Sequence, residues 1–130
     1  MAQLQIDIAQ TTILVVDDEP QLTSMLRDFM VRRGFRVITA ESAATALELL
    51  DEHHEIALVV TDMTMPDMSV AELATKLYSQ FDRMPVVILS GYELSTHEMP
   101  ENVAAVMQKP VRNSSLVAQI RAILKPEQSE

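Results

Sequence analysis

The chain has 130 residues, which suits one compact domain with a radius of gyration of about 14 Å and leaves no room for a second. Hydrophobic residues make up 48% against 22% charged, which excludes a disordered chain, and a net charge of -9 has the wrong sign for direct contact with nucleic-acid phosphates. With no cysteine there are no disulfides, thiolate zinc sites or thiol nucleophiles, and no apolar run nears the roughly 18 residues of a membrane span. Met1 to Gln10 also lacks a basic start followed by an apolar stretch, so a cytoplasmic protein without a membrane partner is expected.

The first apolar run, Ile13 to Val16, is too short for a helix and rich in β-branched residues, as a buried strand should be. Helical period comes next: Leu22, Met25, Leu26, Phe29 and Met30 form an apolar stripe, with Pro20 in the first turn and Gly34 suited to the left-handed position past the end. Phe35 to Ala40 mixes Arg36 and Thr39 with apolar residues and reads as an edge strand. Ala43, Ala46, Leu47 and Leu50 give a second helix capped by Ser42, and Ile56 to Val60 a second buried strand. Val70, Leu73, Ala74, Leu77 and Phe81 mark a third helix after Ser69, and Val86 to Leu89 the next strand. Tyr92 to Asn102 carries no clean stripe, so a short or irregular helix is expected there. Val103 to Met107 is the last strand. Leu116, Ile120, Ile123 and Leu124 mark the last helix, with Asn113 and Ser114 as cap candidates and Pro126 as its stop.

Strands alternating with helices predict an α/β fold, a (βα)5 doubly wound sandwich on a parallel five-stranded sheet. We expect a single domain over 1–130, with a core of about 12–125 and short tails at 1–11 and 126–130.

Ligand sites in such sheets lie outside the carboxyl ends of the strands. After the first strand stand Asp17 and Asp18, after the run to Val60 stand Thr61 and Asp62, after the fourth Ser90, and after the fifth Gln108 and Lys109. Alone, each has an ordinary reading: a helix cap for Asp18, a turn for Ser90, a solvated lysine for Lys109. Together, carboxylates about 5 Å apart repel by roughly 3 kcal/mol at an effective dielectric near 20, so three on one rim call for a cation. Carboxylate oxygens and phosphate suit Mg2+. His53, His54 and His97 fit structural or solvated roles, and nothing points to zinc.

Ile13 to Glu19 (ILVVDDE), Thr61 to Pro66 (TDMTMP), Leu89 to Gly91 (LSG) and Lys109-Pro110 (KP), in this order and at about these spacings, resemble the receiver domain of two-component response regulators. The likeness covers about residues 12 to 125. It implies a flavodoxin-like fold of strand order 2-1-3-4-5 and transfer of a phosphoryl group from a histidine kinase or phosphotransfer protein to Asp62. By the same resemblance Asp17, Asp18, Asp62 and the Thr64 backbone carbonyl serve Mg2+, Asp17 through water. Lys109 pairs with the acceptor, Ser90 bonds a phosphoryl oxygen, Thr64 and Tyr92 flank the group, and the Lys109-Pro110 bond is cis. Such a domain catalyses its own phosphorylation and dephosphorylation rather than turning over a separate substrate.

Two positions and one interval depart from the family pattern. Val70 stands where glycine is usual, so the acceptor loop is expected to differ. Val106 replaces the usual switch aromatic, and the interval from Ser90 to Lys109 is short enough to truncate the fourth helix. Met63, Met65, Met68, Met99 and Met107 leave two readings open, an adaptable docking surface or gap-filling core. A phosphorylation switch is the leading functional reading. A receiver-like docking module working without phosphorylation is the alternative, and a phosphohydrolase using an aspartyl-phosphate ranks last. The output passes to a downstream protein target or to an attached domain of a longer chain.

Overall fold

The computed structural model describes residues 11–124. The apolar runs become β1 (Thr12–Val16), β2 (Arg36–Ala40), β3 (Ile56–Asp62), β4 (Val86–Ser90) and β5 (Val103–Gln108), all parallel and in the order β2-β1-β3-β4-β5. Helices α1 (Pro20–Arg32), α2 (Ala43–Glu52), α3 (Val70–Gln80) and α4 (Asn113–Leu124) complete the flavodoxin-like arrangement. Of the expected tails at 1–11 and 126–130, residues 1–10 and 126–130, with the stop at Pro126, lie outside the described residues. None of the described helices is long and apolar enough to cross a membrane.

Alternation along the strands divides the core in two, because successive side chains of a strand point to opposite faces. Leu14 and Val16 join Ala46, Leu50, Leu73 and Leu77 beneath α2 and α3, whereas Ile13 and Val15 join Met30, Leu116 and Ile120 beneath α1 and α4. The central strand β1 is buried along its whole length, and the edge strand β2 is buried only at Ala40.

Local chemistry sets the boundaries. Pro20 opens α1, and Gly34 takes a φ of 99° just past its end. The Ser42 and Ser69 hydroxyls cap α2 and α3, accepting the Thr45 and Glu72 N–H groups at 3.1 Å each. At α4 the boundary differs by one residue from expectation. The Leu116 N–H donates to the Arg112 carbonyl at 3.0 Å, so Asn113 and Ser114 are the first two helical residues rather than caps.

Two further differences bear on function. Between β4 and β5 the irregular segment contains one 3-10 turn, Thr96–Glu98, in place of a helix. It is pinned by buried Asn102, whose amide donates to the carbonyls of Ala74 at 3.0 Å and Met84 at 2.8 Å. In α1, the stripe read as core is buried only toward its end. Met30 is fully buried, but Leu22 is 48% and Met25 65% exposed. The periodicity marks the apolar side of α1 correctly; the first turns of that side overhang the strand ends rather than the sheet.

Candidate functional site

The register of the sheet brings the rim together. Val16 pairs with Ala40 and Thr61, Asp62 with Leu89, and Ser90 with Gln108, so all five strands stop at nearly one level. Main-chain bonds fasten the residues just past the strand ends: Asp17 N–H to the Ala40 carbonyl at 3.0 Å, Met63 N–H to Leu89 at 2.9 Å and Lys109 N–H to Ser90 at 2.7 Å.

On this rim the carboxylate oxygens of Asp17, Asp18 and Asp62 lie within 4.8 Å of one another. Asp17 and Asp62 are partly buried and Asp18 is exposed. Burial holds the Asp17 carboxyl above its ordinary pKa; the neighbouring charges of Asp62 and Asp18 push the same way, against the Glu19 N–H bond at 2.9 Å and the Lys109 charge. The Lys109 ammonium donates to the Asp62 carboxylate, and that bond leads the causes raising the lysine's own pKa. One ammonium against three carboxylates leaves net negative charge in a hard-oxygen donor set. That chemistry fits a divalent cation such as Mg2+, which accepts a few carboxylates and keeps some of its waters.

Ser90 is fully buried, and its hydroxyl is engaged with the backbone two residues on, donating to the Tyr92 carbonyl at 2.6 Å and accepting the Tyr92 N–H at 3.1 Å. Tyr92 itself is exposed. Thr64 is exposed in the loop from Asp62 to α3, between partly buried Met63 and buried Met65. The Lys109-Pro110 peptide is cis. Val70 opens α3 as a buried residue, and among the described residues positive φ occurs only at Gly34, Asp82 and Arg83, so the acceptor loop closes with no left-handed residue. The five methionines resolve toward packing: Met65 is buried, Met63, Met68 and Met99 pack on the α2–α3 core, and Met107 on the other. Among the histidines, His53 contacts Glu55 at 3.3 Å and His54 the Asp51 carbonyl at 2.9 Å, away from the carboxylate cluster.

Sequence reasoning missed what stands beside Asp62. A cavity of about 520 Å³ runs from Asp62 and Lys109 along the overhanging apolar side of α1, past Leu22, Met25 and Leu26. The only sequence signal was the α1 stripe itself, which looks the same whether a sheet or a partner covers it.

Known proteins carry the same pattern. The sequence profile of the response regulator receiver domain matches residues 13–121. Transcriptional regulatory protein CpxR of Escherichia coli K12 is 36% identical over 116 residues, covering 87% of this chain and 49% of that protein. Transcriptional regulatory protein KdpE of Mycobacterium tuberculosis H37Rv is 33% identical over 118 residues, covering 88% and 51%. The crystal structure of a response regulator receiver domain protein from Clostridium thermocellum superposes with a TM-score of 0.79 at 28% identity, covering 86% of this chain and 92% of that one. The chain thus spans about half the length of the curated relatives it matches. With the rim, the strand order and the profile in agreement, the chain belongs to the response regulator receiver domain family.

Proposed function

We propose that the chain accepts a phosphoryl group on Asp62 from a histidine kinase or phosphotransfer protein and passes the change to a partner protein or an attached domain. The observation that carries this reading is the meeting of Asp17, Asp18 and Asp62 on one rim with the Lys109 ammonium on the Asp62 carboxylate. Asp17, Asp18, Asp62 and the Thr64 carbonyl are the groups that would hold Mg2+. The bound ion supplies charge neutralisation for the phosphoryl oxygens.

An Asp62 carboxylate oxygen attacks phosphorus in line. The new P–O bond forms as the P–N bond of the donor phosphohistidine breaks, and the imidazole nitrogen keeps the electron pair. Lys109 orients the carboxylate first and then pairs with a phosphoryl oxygen, a charge-assisted bond stronger than a neutral one. Ser90 reaches another phosphoryl oxygen by giving up its bond to the Tyr92 carbonyl, so the first segment released is the one leading into the fourth crossover. The exposed Leu22 and Met25 beside the acceptor offer apolar area to the phosphodonor protein. The net charge of -9 argues that any DNA contact falls to another domain.

Incubation with Mg2+ and acetyl phosphate, followed by intact-mass measurement, tests this reading. One added phosphoryl group is expected, absent without Mg2+ and absent in Asp62→Asn. Unchanged labelling in that variant contradicts the assignment of Asp62, and partner binding indifferent to phosphodonor and Mg2+ contradicts the switch.

A further inference from the structure

The acceptor loop, Met63 to Ser69, is fastened at three points before the Ser69 cap of α3. At its start the Met63 N–H bonds the Leu89 carbonyl of β4. In its middle the Met65 side chain is buried among α2, α3 and the sheet. Beyond Thr64 the Asp67 carboxylate crosses to another element, one oxygen accepting the Ala43 N–H at 3.1 Å and the other the Ala44 N–H at 2.9 Å. These are the first two residues of α2, whose next N–H, of Thr45, is taken by Ser42. N–H groups in a first helical turn have no intrahelical acceptor and carry the positive end of the helix dipole, so a forked carboxylate there makes a charge-assisted clamp. Ser42 already caps α2 from within its own chain segment. What Asp67 adds is a tie between α2 and a loop more than twenty residues further along the chain.

We infer that Asp67 is a positioning residue for phosphoryl transfer: by tying the acceptor loop to the N-terminus of α2 it fixes the Thr64 backbone between Met65 and β4, where the loop presents its carbonyl to the cation. This rests on the proposed function of Asp62. It distinguishes Asp67 from an ordinary cap, whose loss loosens its own helix and nothing else.

Asp67→Ala, Asp67→Asn and Ser42→Ala in the full chain separate the two roles, since Ser42 caps the same helix end without touching the loop. In metal-free protein, amide hydrogen exchange over residues 63–69 should rise in Asp67→Ala and stay at the wild-type level in Ser42→Ala, which loosens 43–46 alone. The Mg2+ concentration giving half-maximal labelling by acetyl phosphate should rise about tenfold in Asp67→Ala, the lower end for loss of a residue that orients a metal ligand. The labelling rate at saturating Mg2+ should stay within about twofold, and Ser42→Ala should need no more Mg2+ than wild type. Asp67→Asn keeps one accepting oxygen and should fall between; if Asp67→Ala does not fold, the same comparison is made with Asp67→Asn. Equal behaviour of the Asp67 and Ser42 variants, or faster exchange confined to α2, overturns the inference and makes Asp67 a helix cap only. A wild-type chain that takes up no phosphoryl group overturns the proposed function instead, and the metal-free exchange still decides whether Asp67 fastens the loop.

Discussion

The loops that follow β3 and β4 are built in opposite ways. Between β3 and α3, seven residues are held by a main-chain bond to β4, a buried methionine, the Asp67 fork on α2 and the Ser69 cap. Between β4 and β5, residues 91–102 hold one 3-10 turn, mostly exposed, and Asn102 is their one buried polar pin. The first loop adjoins Asp62 and the second adjoins Ser90. A site that stabilises a transition state must hold its groups in place beforehand, whereas a segment that reports a change needs a second arrangement within reach. On the proposed function, the rigid loop serves the chemistry at Asp62 and the signal leaves through the segment that follows Ser90.

Several variants can break or sharpen that contrast. The largest effect is expected at Lys109. Lys109→Ala removes the ammonium that bonds the Asp62 carboxylate, and labelling by acetyl phosphate at saturating Mg2+ should slow about a hundredfold, as for loss of one preorganised charge donor. A loss under threefold contradicts its role.

Next comes the pin of the loose crossover. Asn102→Ala removes two hydrogen bonds and leaves the Met84 carbonyl without that donor, which should cost about 2 kcal/mol. In a chain this size that lowers Tm by roughly 6 °C. The labelling rate should not change. A parallel fall in labelling would show that the two loops are one mechanical unit, against the contrast between them.

The smallest effect is a gain. Burial raises the pKa of Asp17 above its unfolded value, so metal-free stability falls as pH rises from about 3.9, the unfolded value, through the folded one. Asp17→Asn can keep the Glu19 N–H bond while removing the charge. Allowing for solvent screening at this half-exposed group, it should raise Tm in chelator by roughly 3 °C, about 1 kcal/mol. The same variant should lose most of the Tm rise that Mg2+ gives wild type, because a ligand stabilises only the state that binds it. A lower Tm in chelator would contradict the repulsion and desolvation assigned to the cluster.

Much of this was legible in the sequence because parallel strands buried on both faces are unbroken apolar runs. Ile13 to Val16 and Val86 to Leu89 could be little else, and the residues just after each run must stand on the rim. Asp17, Asp62, Ser90 and Lys109 were therefore placed correctly at the strand ends. What escaped depends on contacts that no local pattern records. The fork from Asp67 to Ala43 and Ala44 joins segments far apart in the chain. The exposure of Leu22 and Met25 depends on how far the sheet extends beneath α1, which periodicity does not report. Asp82 and Arg83, at φ of 56° and 59°, occupy left-handed positions where no glycine announces the turn.

The most direct test of the central claim is to locate the phosphoryl group. Wild-type protein is treated with Mg2+ and acetyl phosphate, reduced with borohydride, which converts an acyl phosphate to an alcohol, and sequenced by tandem mass spectrometry. The account predicts homoserine at position 62, at no other acidic residue, and none when Mg2+ is chelated. Conversion at Asp17 or Asp18, or no conversion while the intact protein carries the added mass, would contradict it.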